Sequence, residues 1–240
     1  DNHDDGENRY DGHAGSMSRR SGWTSGAMKE QSMTTVRRLT HSCVTITSDD
    51  GTVLIDPDSF TWGSGVVDLD TIGDVQRVLV THEHQDHVHP DFVKWLRDRG
   101  TDVTVHGNSA VAALLAPEDI EVIDDNPAGV TSEDMLHGML PNGMQPPNRA
   151  FTYGSVTSTG DSFDLSSCGD VLLLPLFVPW GMSRDAVTTA ERLRPKVVIP
   201  AHDFYLSDGG REFIGGFIGG LLNQDGMEFV PVAYGDSYSF

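Results

Sequence analysis

The chain has 240 residues and a formal net charge of −20, with 16 Lys and Arg against 36 Asp and Glu. That length allows one large domain or two small ones, and the acidity excludes a surface built for nucleic acid, whose binding draws on phosphate neutralisation, though not one small anionic substrate. Cys43 and Cys168 are the only cysteines, which excludes a disulfide framework; with no bilayer-length apolar run and no secretory leader read at the start, the expectation is a cytoplasmic protein without a membrane partner.

Residues 1–32 are rich in Asp, Gly, Ser, Asn and Arg, with few apolar residues beyond Tyr10 and Trp23. Such a stretch cannot build a core, so it is expected to be a disordered extension, with the folded domain spanning 33–240. Strands are predicted at Val36–Leu39 and Cys43–Thr47. Ser48-Asp49-Asp50-Gly51 reads as a hairpin turn and Thr52–Ile55 as the returning strand. Arg77–Thr81 is a β-branched apolar run, hence a buried strand. Pro90 and Asp91 open an amphipathic helix through Arg99, closed by Gly100. A strand at Val103–Val105 and a helix from Asn108 to Leu115 follow, then a short strand at Glu121–Ile123. Residues 124–148, with Pro, Gly and Asn throughout, read as one long irregular loop. Strands are expected at Phe151–Thr157 and Val171–Leu174, a helix from Ser183 to Leu193, and a strand at Lys196–Ile199. A Gly-interrupted helix at Arg211–Leu222 and a strand at Phe229–Ala233 complete the pattern. Strands first and alternation later predict a layered α/β domain with mixed sheets.

The most informative stretch is His82-Glu83-His84-Gln85-Asp86-His87. Three histidines and an aspartate this close make a metal site the expected reading, because imidazole nitrogen and carboxylate oxygen suit borderline divalent cations. The run stands between a buried strand and an amphipathic helix, the usual setting of an α/β active site. Three more polar residues follow apolar strands or sit in the long loop: Asp161 after 151–157, His202 after 196–199, and His137. One sheet edge can gather all of them. With no Cys nearby the donors are nitrogen and oxygen, which leaves Zn, Mn and Fe open.

On these residues the chain resembles the metallo-β-lactamase superfamily, and most of all the small metal-dependent hydrolases related to L-ascorbate-6-phosphate lactonase. The matching stretches are Leu54-Ile55-Asp56-Pro57, Thr81-His82-x-His84-x-Asp86-His87, His137, Thr159-Gly160-Asp161-Ser162 and Ile199-Pro200-Ala201-His202, covering about residues 36–205. The resemblance implies an αββα sandwich, two mixed sheets flanked by helices, with two divalent metal ions, zinc first among them, at the sheet edge. It implies that His82, His84 and His137 hold one metal, that Asp86, His87 and His202 hold the other, and that Asp161 bridges them. The implied activity is hydrolysis of a small-molecule lactone, ester or phosphodiester by a hydroxide bridging the metals, with Asp86 and Asp161 at the chemistry. Departures narrow this: no Gly pair follows His87, and Asp161 stands where antibiotic-degrading zinc enzymes place a Cys. His84 replaces the Glu of di-iron flavoproteins.

Around this set, Asp56 is either an orienting partner of the ligands or a plain turn residue before Pro57. His41 is either a catalytic or orienting group or a surface cap, while His89 and His106 read as structural. Phe177, Trp180 and Met182 either wall a substrate pocket or pack in the core, and Tyr205 is a further candidate for oxyanion contact. Two other functions stay open: an iron-dependent oxidoreductase on the same fold, and a metal-binding protein without catalysis. The substrate and oligomeric state are not legible.

Overall fold

The computed structural model describes residues 33–100 and 102–240. The expected disordered extension, residues 1–32, lies outside the described residues.

Alternation along the strands builds the fold. Strands β1 (Thr35–Arg38), β2 (Val44–Ser48) and β3 (Gly51–Ile55) form an antiparallel meander. A short helix α1 (Ser59–Ser64), capped by the Asp58 side chain, leads toward β4 (Arg77–Leu79). Helix α2 (Pro90–Arg99) starts with Pro90 in its first turn, where a missing N–H costs nothing. Next come β5 (Thr104–His106) and α3 (Ser109–Leu115), whose N-cap Asn108 accepts from the amides of Ala110 and Val111. Then follow β6 (Val130–Leu136), β7 (Pro147–Tyr153), β8 (Val156–Ser158) and β9 (Val171–Pro175). Helix α4 (Ser183–Leu193), β10 (Val197–Ala201), α5 (Asp208–Gln224), β11 (Glu228–Phe229) and β12 (Ser237–Ser239) end the order.

Two six-stranded sheets result, ordered β12-β1-β2-β3-β4-β5 and β11-β10-β9-β8-β7-β6. Both are mixed, with parallel pairs β3–β4, β4–β5, β8–β9, β9–β10 and β10–β11. Period-two alternation sorts the side chains. Val53, Ile55 and Leu79 of the first sheet meet Phe151, Val171, Leu173 and Ile199 of the second. On the far face of the first sheet, Leu54, Val78 and Val105 meet Phe92, Leu96 and Leu115 of α2 and α3. On the far face of the second, Leu172, Leu174 and Val198 meet Ala186, Ala190, Ile218 and Leu222 of α4 and α5. Helix, sheet, sheet, helix is the αββα sandwich that was expected. Among the described residues no helix is long and apolar enough to cross a membrane.

Four expectations need correction. The loop read at 124–148 contains β6, the edge strand paired to β7 along its whole length. Its Val-Thr-Ser-Glu-Asp-Met-Leu sequence is polar because one face of an edge strand stays wet. The strand read at 151–157 is two strands, β7 and β8, folded at Gly154 (φ 54°) and Ser155 (φ 64°). Both residues are left-handed, as a two-residue hairpin turn requires. The strand read at 121–123 reduces to one bridge, Ile123 to His106, and pairing at 229–233 stops at Phe229 before Pro231. Proline lacks the N–H that a ladder needs.

Candidate metal centre

Strand ends deliver the polar residues to one edge of the sandwich. His41 follows β1, Asp56 follows β3, and the 82–87 stretch follows β4. His137 follows β6, Asp161 follows β8, and His202 follows β10. His137 therefore stands at a strand end, not in an irregular loop.

Three groups of donor atoms form there, the atoms in each lying within 4.8 Å of one another: His82, His84, His137 and Asp161; His87, Asp161 and His202; and His41, Asp86 and His202. All seven residues expected to hold metals thus share one edge, and His41 joins them. Asp161 sits between the first two groups. Its Oδ2 lies 3.1 Å from His137 Nε2, while its Oδ1 lies 2.7 Å from His202 Nε2 and 3.1 Å from His87 Nε2. Asp86 groups with His202 and His41, and His202 also belongs to the His87 group; the Asp86 Oδ2 lies 3.5 Å from His41 Nε2 and 3.3 Å from the Tyr205 hydroxyl.

The partners of the far ring nitrogens decide which atoms face inward. His87 Nδ1 lies 2.8 Å from Asp56 Oδ2, and His137 Nδ1 lies 2.6 Å from the Gly138 carbonyl. Each Nδ1 donates its proton there, so each Nε2 is the nitrogen that faces the centre and can ligate an ion once it is unprotonated. Asp56 also accepts from the Thr81 amide at 2.8 Å and the Thr81 hydroxyl at 3.0 Å. It is an orienting carboxylate for the cluster, which decides between its two sequence readings.

This donor set fits a divalent cation. His87 Nε2 and His202 Nε2 approach to 2.9 Å, and His82 Nε2 and His84 Nδ1 to 3.1 Å. Asp161 Oδ1 and His137 Nε2 are buried without a hydrogen-bond partner. Buried polar atoms are rarely left so unless an ion or water belongs there.

Electrostatics agree. Burial, then the positive neighbour His87, hold His82 well below the usual histidine range. Burial holds His84 down as well. His41 falls to about 3 through burial and then His202, so it is neutral at neutral pH. Burial opposes charge on His87, but Asp161 and Asp56 overcome it and raise its pKa well above the ordinary value. Burial likewise opposes charge on Asp161, yet His202 and His87 hold its carboxyl far down. Asp86 is also held down: burial opposes its charge, but His41, His87 and His202 together outweigh it. In the metal-free protein a cationic His87 thus neutralises Asp161, and a cation taking its place must expel that proton.

Several supporting residues escaped the sequence reading. Asn148 receives the Asp161 amide at 3.0 Å and donates to the Thr159 carbonyl at 2.9 Å. Gly160 between them has φ 55°, and a Cβ there would meet Asn148 Oδ1 at 2.3 Å. Trp180 Nε1 donates to Asp161 Oδ2 at 2.8 Å, a closer role than the wall or core packing considered for it. Phe177 and Met182 are exposed, and Tyr205 hydrogen-bonds Asp86. His89 stands at the start of α2 and stacks on Trp62, and His106 bonds to the Asp125 carbonyl, so both are structural. No short-range sequence signal marks Asn148 or Trp180, because their partners lie 13 and 19 residues away.

Comparison with known proteins fits this geometry. A family model described as "Beta-lactamase superfamily domain" matches residues 35–143. A metal-dependent hydrolase of Staphylothermus marinus is 25% identical over 197 residues, covering 71% of this chain and 83% of the relative. Among solved structures, a metallo hydrolase of Ignicoccus hospitalis superposes with a TM-score of 0.65 at 16% identity, covering 87% of this chain and 98% of that one. A metallo-β-lactamase fold protein of Bacillus subtilis superposes at 0.60 with 16% identity, covering 87% and 100%. The chain therefore has the metallo-β-lactamase fold, and its residues 35–143 match the model of a β-lactamase superfamily domain.

Proposed function

We propose that this protein is a metal-dependent hydrolase acting on a small-molecule lactone, ester or phosphodiester. The observation that carries the reading is Asp161. Its two oxygens face two separate histidine groups, and one of them is buried with no partner. In this reading His82, His84 and His137 hold one divalent cation, and His87 and His202 hold the other. Asp161 is shared between them, and Asp86 closes the second position from the His41 side. Zinc is the first candidate, since the donors are nitrogen and oxygen. Such ions, when bound, acidify a water and offset negative charge that develops on the substrate.

The protein's own contribution is orientation and exclusion of water. Asp56 fixes the His87 tautomer, and the Gly138 carbonyl fixes that of His137. His41, neutral and buried, has no acidic proton to give, so it acts as an N–H donor to Asp86 or as a further cation ligand. One side is walled by Phe60, Phe204 and Tyr205, with Phe60 and Phe204 stacked at 4.7 Å. The other side is walled by Trp180 and Phe163, 4.8 Å apart. The metal-dependent hydrolase relative and the superfamily domain support this reading, and the net charge of −20 favours a small molecule over a nucleic acid.

The test is elemental analysis of protein purified without added metal, then a panel of lactone, ester and phosphodiester substrates with and without chelator. Close to two metals per chain and chelator-sensitive hydrolysis are expected. Oxygen consumption tied to turnover, with iron the only productive metal, would move the protein to the oxidoreductase reading. Bound metal with no turnover across the panel would leave a metal-binding protein.

A further inference from the structure

The Trp180 indole reaches into the cluster from the segment between β9 and α4. Its N–H donates to Asp161 Oδ2 at 2.8 Å, on the side that faces His137. The ring is seated on three sides. It packs edge-on against His137 at 5.4 Å and against Phe163 at 4.8 Å. Beneath it lies Gly138, where a Cβ would fall 1.9 Å from the indole ring. The same glycine donates its amide to the Asp161 carbonyl at 2.7 Å. Backbone and side chain of Asp161 are thus both tied to the His137–Gly138 segment, one directly and one through the indole.

We propose that Trp180 is a positioning residue for Asp161. Its N–H holds Oδ2 on the His137 side and so turns the unpartnered Oδ1 toward His87 and His202. A carboxylate on a short side chain can rotate about its last bond, and a shared ligand must keep one oxygen toward each ion. A single N–H on a wedged ring removes that rotation, the role that hydrogen-bonded partners play behind ligating carboxylates. The indole also takes up part of the charge on Oδ2. The inference rests on the proposed metal centre but assigns a residue that the ligand pattern does not contain.

Trp180→Phe keeps a ring on the Gly138 seat and removes only the N–H. The measurement is zinc affinity by competition with a chromophoric chelator, alongside melting of the metal-free protein and intrinsic fluorescence during the titration. The variant is expected to bind zinc about 10- to 100-fold more weakly, while its metal-free melting temperature stays within a few degrees of the parent. In the parent, zinc should change tryptophan emission, because the bonded carboxylate loses charge to the ion; in the variant that change should vanish. If the parent binds zinc and the variant matches it in affinity, the positioning role is wrong and the metal centre stands. If the parent itself binds none, the metal reading fails, and this inference with it.

Discussion

Asp56→Asn is the most discriminating change outside the ligand set. The parent carboxylate accepts three hydrogen bonds, from the Thr81 amide, the Thr81 hydroxyl and His87 Nδ1. Asparagine keeps the shape and tolerates the left-handed backbone at this position, φ 53°. Its oxygen can still take the Thr81 amide. Its NH2 then faces His87 Nδ1, where an acceptor is required. The imidazole must move its proton to Nε2, and the lone pair that pointed at Asp161 and His202 is lost. Changes of this kind cost about 10- to 100-fold in metal affinity, or about 1.4 to 2.7 kcal/mol. Asp56→Ala is a different perturbation. It strands buried donors at about 1 to 3 kcal/mol each, so it should lower stability where Asn lowers mainly affinity. Zinc titration of both variants, with urea melts of the metal-free proteins, separates the two effects. Asp56→Asn binding zinc as tightly as the parent would show that His87 does not present Nε2 to an ion.

Asp161→Ala should reduce metal content toward one per chain and lower turnover by orders of magnitude, whereas His89→Ala should leave both unchanged, as read by elemental analysis and rate on the best substrate of the panel. Asp58 is fully buried, and burial raises its pKa to about 6 from the ordinary 3.8. A raised carboxyl contributes stability below pH 4 that is lost as pH climbs through 6, about 3 kcal/mol in full and about half of it between pH 5 and 8. Asp58→Asn, which can still cap α1, should lack that decline in urea melts of metal-free protein; parallel pH profiles would contradict the burial argument. His202→Gly should be more stable than His202→Ala in metal-free melts, reversing the usual order of the two residues, because position 202 has φ 59°.

The layers of the fold were legible because alternation and helical periodicity are local signals. Strands β1 to β4 and helices α2 to α4 lie where the pattern places them. What escaped depends on distant partners. Edge strand β6 is polar on one face and is defined by pairing with β7, and β12 by pairing with β1. The ligand cluster was legible because a loop of three histidines and an aspartate is rare. Its supports were not. Asp56 could be read either way until His87 was seen 2.8 Å from it, and Trp180 looked like any aromatic until its N–H met Asp161.

The backbone explains why the centre sits at strand tips. Asp56 and His202 each directly follow a strand, and both adopt left-handed φ values of 53° and 59°. An extended backbone would send the next side chain to a face of the sheet, into a hydrophobic layer. A left-handed residue breaks the strand and turns the side chain back across the sheet edge. This costs about 1 to 2 kcal/mol for His202 and less for Asp56, whose short polar side chain tolerates the conformation. Fixed hydrogen bonds hold each in place: the Asp56 amide donates to the Leu79 carbonyl at 2.9 Å, and the His202 amide to the His41 carbonyl at 3.1 Å. The His202 bond crosses from one sheet to the other, so the strained residue is pinned by the sandwich itself. Glycine would relieve the strain at either position, yet the chain has Asp and His there. The fold thus carries a destabilising conformation at two points where a carboxylate and an imidazole must face the same cluster, the pattern expected of strain held for function.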